Sequence, residues 1–190
     1  AYQDGDYDEL GHYLGYPTCC RTFFHKVWEV EKGLDTTWQM AEQYIAKERL
    51  AEVKNAPYQA NILLRWLGIR AVFHLPCTFG CAKTVEIADQ YSKLAVNLGF
   101  YKEQIWLKEM LSWSIEWSAL HGIAEIKTPV FRISTRTDLT GVEYKVRYHG
   151  NVIPAEGSKG MNFPYIRDPY FHRSDWWTSN GFKSKSAMEE

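Results

Sequence analysis

Apolar residues recur at helical spacing through most of the first two-thirds of the chain and at strand spacing after Gly122. The pattern therefore predicts an α+β fold. Phe23, Phe24, Val27, Trp28 and Val30 predict a helix entered through Pro17, a residue at home in a first helical turn. It is expected to run to about Lys32 and stop at Gly33. Trp38, Met40, Ala41, Tyr44 and Ile45 predict a second helix, capped by Asp35, Thr36 or Thr37 and continuing to about Val53. Asn55-Ala56-Pro57 breaks the chain, and a shorter helix is expected over roughly Tyr58 to Trp66, ended by Gly68. Ile69-Arg70-Ala71-Val72-Phe73-His74 is short, β-branched and aromatic, the composition of a buried strand. A long helix should open at Cys81, with Val85, Ala88, Tyr91, Leu94, Ala95 and Leu98 on one face, and another should run from about Tyr101 to Trp113.

Val130 to Thr137 and Val142 to Tyr148 predict two strands joined by a turn at Asp138-Leu139-Thr140-Gly141. Val142, Tyr144, Val146 and Tyr148 alternate with Glu143, Lys145, Arg147 and His149, as in a half-buried antiparallel hairpin. Together these elements predict a mainly helical body with a small antiparallel sheet, one domain over 1–182 and a polar tail over 183–190.

Composition adds limits. A chain of 190 residues can build a core without disulfide staples. The apolar share of 45% and charged share of 24% are ordinary, while 15% aromatic is high enough to furnish a core, a ligand pocket or an interface. A net charge of -1 argues against a nucleic-acid binder held by bulk electrostatics. No apolar run approaches the ~18 residues of a membrane helix, and Ala1-Tyr2-Gln3-Asp4 carries no basic-then-apolar signal pattern.

The four cysteines change the picture most. They fall in two clusters, each entered through a proline: Gly15-Tyr16-Pro17-Thr18-Cys19-Cys20 and His74-Leu75-Pro76-Cys77-Thr78-Phe79-Gly80-Cys81. Four are too few for a disulfide scaffold at this length, so a reduced, cytoplasmic setting is expected. Neither pair has the Cys-x-x-Cys spacing of a thiol–disulfide protein. Each cluster puts sulfur at or near a helix N-terminus, where free N–H groups and the helix dipole favour a thiolate ready to ligate metal. Cys19, Cys20, Cys77 and Cys81 are accordingly expected to share one metal centre.

Cys77 and Cys81 have the spacing of a zinc knuckle, but Cys19 and Cys20 are adjacent, and adjacent helical side chains diverge by ~100°. Adjacent cysteines can bind different irons of one cluster, which ranks a [4Fe–4S] cluster first and zinc second. Three cysteine ligands with one open iron would leave the fourth cysteine or His74 beside a substrate. Leu14-Gly15-Tyr16-Pro17-x-Cys19-Cys20, His74-x-Pro76-Cys77-x-x-x-Cys81 and the run from Glu116 to Glu125 resemble motifs of a poorly characterised prokaryotic family of unknown function. That resemblance implies that the three segments form one site, and it implies no reaction.

Other residues supply candidate chemistry. His74 ends the predicted strand, where an imidazole can ligate or move a proton. Glu116, His121, Glu125 and Lys127 crowd titratable groups into an otherwise apolar stretch, as general acids and bases do when burial shifts them; a helix end broken at Gly122, with its charges paired at the surface, reads the same. His121 and Glu125 are the acid–base candidates. Arg132 and Arg136 share one strand face and, with Lys127, could grip a carboxylate or phosphate, unless that face is simply solvated. The segment Phe163–Arg173 interleaves aromatics with cations, which suits stacking on a planar ligand or a loop pinned to the body.

No glycine-rich phosphate loop, serine nucleophile elbow or His-Glu-x-x-His occurs. The leading expectation is a metalloenzyme acting on a small polar or anionic substrate. The alternative is a binding or adaptor module whose metal is structural.

Overall fold

A computed structural model of the chain describes residues 6–154. The chain divides at Ile153 into one unit, Ala1–Ile153, and a second, Pro154–Glu190. The aromatic–cationic segment at 163–173 and the polar tail at 183–190 lie outside the described residues.

The described residues form an α+β fold of five α-helices and one six-stranded sheet. The helices are α1 (Tyr7–Tyr13), α2 (Thr18–Phe24), α3 (Thr37–Met40), α4 (Ala82–Asn97) and α5 (Tyr101–Leu111). The strands are β1 (Ile45–Lys47), β2 (Leu50–Val53), β3 (Ile115–Leu120), β4 (Ile123–Lys127), β5 (Arg132–Arg136) and β6 (Tyr144–Tyr148). Their order in the sheet is β1-β2-β6-β3-β4-β5, with β2 and β6 parallel and every other pair antiparallel.

The expected small antiparallel sheet is thus replaced by a larger mixed one that organises the core. One face carries Ala51, Val53, Ile115, Trp117, Ala124, Ile126 and Val146, all buried, and Met40, Leu63, Leu111 and Trp113 are buried as well. Burying so many large apolar side chains, at about 1.5–3 kcal/mol each, is the main drive to fold.

Several elements differ from expectation, each for a physical reason. The helix expected from Thr37 to Val53 stops at Met40, and its second half is the β1–β2 hairpin. Ala-Glu-Gln and Ala-Lys-Glu are good helix formers, but Ala51 and Val53 alternate with Leu50 and Glu52, and pairing with β6 overrides propensity. Arg49 turns that hairpin with φ 63°. The helix expected from Tyr58 to Trp66 is two 3₁₀ turns, Tyr58–Ala60 and Arg65–Leu67, flanking buried Asn61–Leu64. Gly68 does end it, in the left-handed region at φ 76°.

The expected strand Ile69–His74 is irregular, although its alternation survives as buried Val72 and His74 beside exposed Phe73. The two late strands exist, but they do not pair with each other. β5 adds to β4 and β6 lies between β2 and β3.

Residues 116–128 are not a helix end. They form the β3–β4 hairpin, closed by the pair Leu120–Ile123 around His121 and Gly122. Both turn residues have positive φ, 52° and 76°, the signature of a type I′ turn, whose twist matches the flanking strands. The helix from Pro17 holds as α2 continued by a π-helical stretch, His25–Val30, and α4 and α5 fall where expected. No helix among the described residues is long and apolar enough to cross a membrane.

Candidate metal centre

Two short sequences build the centre. Leu14, Gly15 and Tyr16 end α1 in a Schellman motif. Tyr16 N–H donates to the Gly11 carbonyl and Gly15 N–H to that of His12, both at 2.9 Å, with Gly15 at φ 72°. Pro17 then caps α2, and the Cys20 and Arg21 amides donate to its carbonyl at 2.9 and 3.0 Å. Four residues, 14–17, separate α1 from α2, so Cys19 and Cys20 lie on the first turn of a helix that contacts α1.

The second pair sits on the loop leading into α4. Phe79, fully buried, anchors this loop by packing on Tyr44 and Tyr148 at ring distances of 6.3 and 6.2 Å. Gln43 hydrogen-bonds to Thr78. Cys81 is the residue that caps α4, and its carbonyl accepts from Val85 N–H at 3.1 Å.

The four sulfurs converge. Cys19 Sγ stands 3.9 Å from Cys20 Sγ and 3.8 Å from Cys81 Sγ, and Cys20 Sγ is 3.7 Å from Cys81 Sγ. With Cys77 included, all four lie within 4.8 Å of one another. Cys20 and Cys81 are buried, Cys77 is half-buried and Cys19 is exposed. The expectation that these residues form one potential metal-binding cluster is met. Adjacency is no obstacle: the Cβ vectors of Cys19 and Cys20 diverge, but side-chain rotation brings the two sulfurs to within 3.9 Å of each other.

The electrostatics suit a cation. Burial pushes the Cys20 thiol up, and it pushes the Cys77 thiol up to about 12. Burial also opposes ionisation of Cys81, but the Thr84 hydroxyl and amide, with the neighbouring thiols, outweigh it and bring Cys81 down to about 7. Four thiolates this close repel one another strongly unless a cation lies among them.

Thr84, fully buried one turn into α4, reaches both Cys20 Sγ at 3.6 Å and His74 Nε2 at 2.9 Å. His74 is buried against Tyr16, with ring centroids 5.3 Å apart, and burial lowers its pKa to about 4, which keeps the imidazole neutral. Sequence reasoning missed Thr84. Its signal was a hydroxyl three residues into the helix that Cys81 opens.

The other candidates lie elsewhere. His121 is exposed in the β3–β4 turn. Glu125, Lys127 and Arg132 belong to a ladder of charges on the outer face of the sheet, opposite the face on which Phe79 packs. Arg147 pairs with Glu116 at 2.9 Å; Lys127 lies 3.9 Å from Glu116 and 3.2 Å from Glu125; Arg132 reaches Glu125 at 3.2 Å. Arg136 is exposed on the same face. None of these residues lines the two hollows that flank the cysteines. Of the three segments expected to form one site, the first two meet at the sulfurs and the third is the β3–β4 hairpin.

The charge ladder is a stability device with a modest reach. The hydrogen bond from Arg147 holds the Glu116 carboxyl below the usual carboxylate range. A depressed folded-state pKa adds stability above the unfolded value, near 4.3, and loses it as pH falls through the folded value. Glu116→Gln should therefore lower stability by about 0.5 kcal/mol at neutral pH, a figure kept small by solvent screening. Urea titrations across pH should show the difference from the native protein closing below about pH 4. A difference that widens on acidification would contradict the pairing.

No protein-family model, curated protein or solved structure matches the chain.

Proposed function

We propose that Cys19, Cys20, Cys77 and Cys81 hold a single zinc ion in a closed tetrahedral thiolate site, and that the protein is a metal-stabilised binding module. The observation that carries this reading is the spacing of the sulfurs. Four thiolates ~2.3 Å from one tetrahedral ion stand ~3.8 Å apart, close to the 3.7–3.9 Å of the three separations above. Thiolates at the corners of an iron–sulfur cubane, carried outward from irons ~2.7 Å apart, stand about 6 Å apart or more. All four sulfurs here lie within 4.8 Å. The distances thus favour zinc over the [4Fe–4S] cluster that adjacency alone ranked first.

A site with four protein ligands leaves no open position for substrate, which favours a structural role over Lewis-acid catalysis. Bound there, the ion would neutralise buried thiolate charge and fasten the α1–α2 pair to the start of α4. The acid–base candidates fit this role better than an enzymatic one. His121 lies in an exposed turn, and Glu125 is paired with Lys127 and Arg132.

The test is elemental analysis of anaerobically purified protein, with acid-labile sulfide and an absorbance spectrum. One zinc per chain, no sulfide and no absorbance near ~400 nm are the expected results. Iron and sulfide in equal amounts, with a broad band at that wavelength, would overturn the zinc assignment and restore the cluster.

A further inference from the structure

The sheet ends on β5, and the state of that edge follows from the register. Thr128 N–H donates to the Phe131 carbonyl at 2.9 Å, and Thr137 N–H to that of Gly122 at 3.1 Å. Between them, the hydrogen-bonded pairs of the β4–β5 ladder are therefore Ile126–Ile133 and Ala124–Thr135. Ile133 and Thr135 turn their backbone groups toward β4. Arg132, Ser134 and Arg136 turn theirs outward, where no backbone group among the described residues meets them.

The two edges of the sheet are built differently. β1 is three residues long and shifts register against β2, a form that blunts an edge. β5 runs five residues in unbroken register, so its outer side offers N–H and C=O groups in a regular row.

Charge says what fits there. Arg132, Ser134 and Arg136 are exposed and share one face. Arg136 pairs with no carboxylate among the described residues, and Arg132 meets Glu125 of its own sheet at 3.2 Å. Antiparallel pairing with a second copy about Ser134 would set Arg132 opposite Arg136 twice, and like charges directly opposite repel. The same positions favour carboxylates. The two arginines stand four residues apart, ~13 Å along the strand, too far for one small anion to bridge and matched to an extended chain. Next to them, exposed Leu34, Trp66 and Ile123 line a hollow with Ser134, Thr135 and Arg136.

We propose that β5 takes up an extended acidic segment of a partner protein as an added antiparallel strand. Backbone bonds to Arg132, Ser134 and Arg136 hold the segment, and carboxylates four residues apart face the two guanidinium groups. An apolar side chain opposite Thr135 adds contact with the hollow. The inference rests on the binding role proposed above and names its partner; it does not depend on which metal the sulfurs hold.

The probe is a labelled peptide, Thr-Glu-Val-Thr-Val-Glu-Thr, blocked at both ends, with its glutamates at that spacing. Fluorescence anisotropy on the full, metal-loaded chain should show one saturable site, weakened about tenfold or more when both glutamates become lysine. Backbone N-methylation separates strand addition from charge attraction alone. A methyl on the central Thr removes an N–H directed at Ser134 and should cost about tenfold or more, whereas one on the preceding Val removes an N–H directed away and should cost little. Arg136→Glu should reverse the preference between the glutamate and lysine peptides. Ser134→Pro deletes an outward N–H and no bond to β4, so it should abolish binding with the metal content unchanged. The two methylated peptides on the unmutated chain decide the matter even if Ser134→Pro fails to fold. Metal analysis of the same sample tests the zinc assignment separately, so one reading can fail without the other. No binding at sub-millimolar peptide, equal loss from the two methyl positions, or an unaltered preference in Arg136→Glu would each overturn the proposal. So would a dimer of the native chain that Ser134→Pro dissociates, which would give the edge to a second copy.

Discussion

Cys20→Ala protein should contain no stoichiometric metal and should melt about 10 °C or more below the native chain. The estimate follows from losing several kcal/mol in a chain where each kcal/mol shifts the midpoint by about 2–4 °C. Cys20 is 1% exposed and its sulfur stands 3.9 Å from that of Cys19 and 3.7 Å from that of Cys81, so its removal takes away one of the contacts between α2 and the start of α4. Truncation alone deletes one buried sulfur and leaves a small cavity, which accounts for only part of such a loss. A chelator separates the two effects. It should bring the native protein down close to the variant's melting point and leave the variant unmoved. A native protein indifferent to strong chelation would show that the sulfurs pack as thiols and that no ion holds the fold.

The second large effect is expected at a buried ion pair that is not part of the cysteine cluster. Asp35 is fully buried and pairs with Arg65 at 2.7 Å, while its Oδ1 also accepts from Thr37 N–H at 2.9 Å at the start of α3. Arg65 donates as well to Thr37 Oγ1 at 3.1 Å and to the Ile62 carbonyl at 3.2 Å. Arg65→Met would strand a buried carboxylate, a change that costs about 3–5 kcal/mol. Removing both charges, as Asp35→Asn with Arg65→Met, should recover a substantial part of that loss, because the stranded charge is then gone. Urea unfolding of the single and double variants measures this directly. A single variant within about 1 kcal/mol of the native protein would mean that the pair is solvated in solution.

Parts of this molecule were open to sequence reasoning because local chemistry decided them. The proline start at Pro17 is set within a few residues, so the position of Cys19 and Cys20 on a first helical turn followed from the sequence. The same holds for Cys81 at the start of α4. By contrast, α1 and its Schellman end at Gly15 were not read from the sequence. That the two cysteine clusters would converge was readable from their pairing and the proline that leads into each.

Long-range pairing was not readable. Residues 42–53 contain helix-favouring Glu, Gln, Ala and Lys, and only the presence of β6 alongside makes the alternation at Ala51 and Val53 count as a strand. In residues 116–127 a period of two was present all along, with Trp117, Ala119, Ala124 and Ile126 inward, but the crowd of titratable groups drew attention to chemistry. Register explains that crowd, since Glu116, Lys127 and Arg132 fall side by side on adjacent strands. The spacing of the four sulfurs also escaped the sequence, because Cβ directions do not fix where a rotating sulfur comes to rest.

X-ray absorption at the metal edge tests the central claim most directly. The account predicts a zinc edge with a single shell of about four sulfurs at ~2.3 Å and no metal–metal scatterer, lost together with the metal in Cys20→Ala. An iron edge with a second shell of irons at ~2.7 Å would contradict it, and so would a zinc shell in which nitrogen or oxygen replaces one or more of the four thiolates.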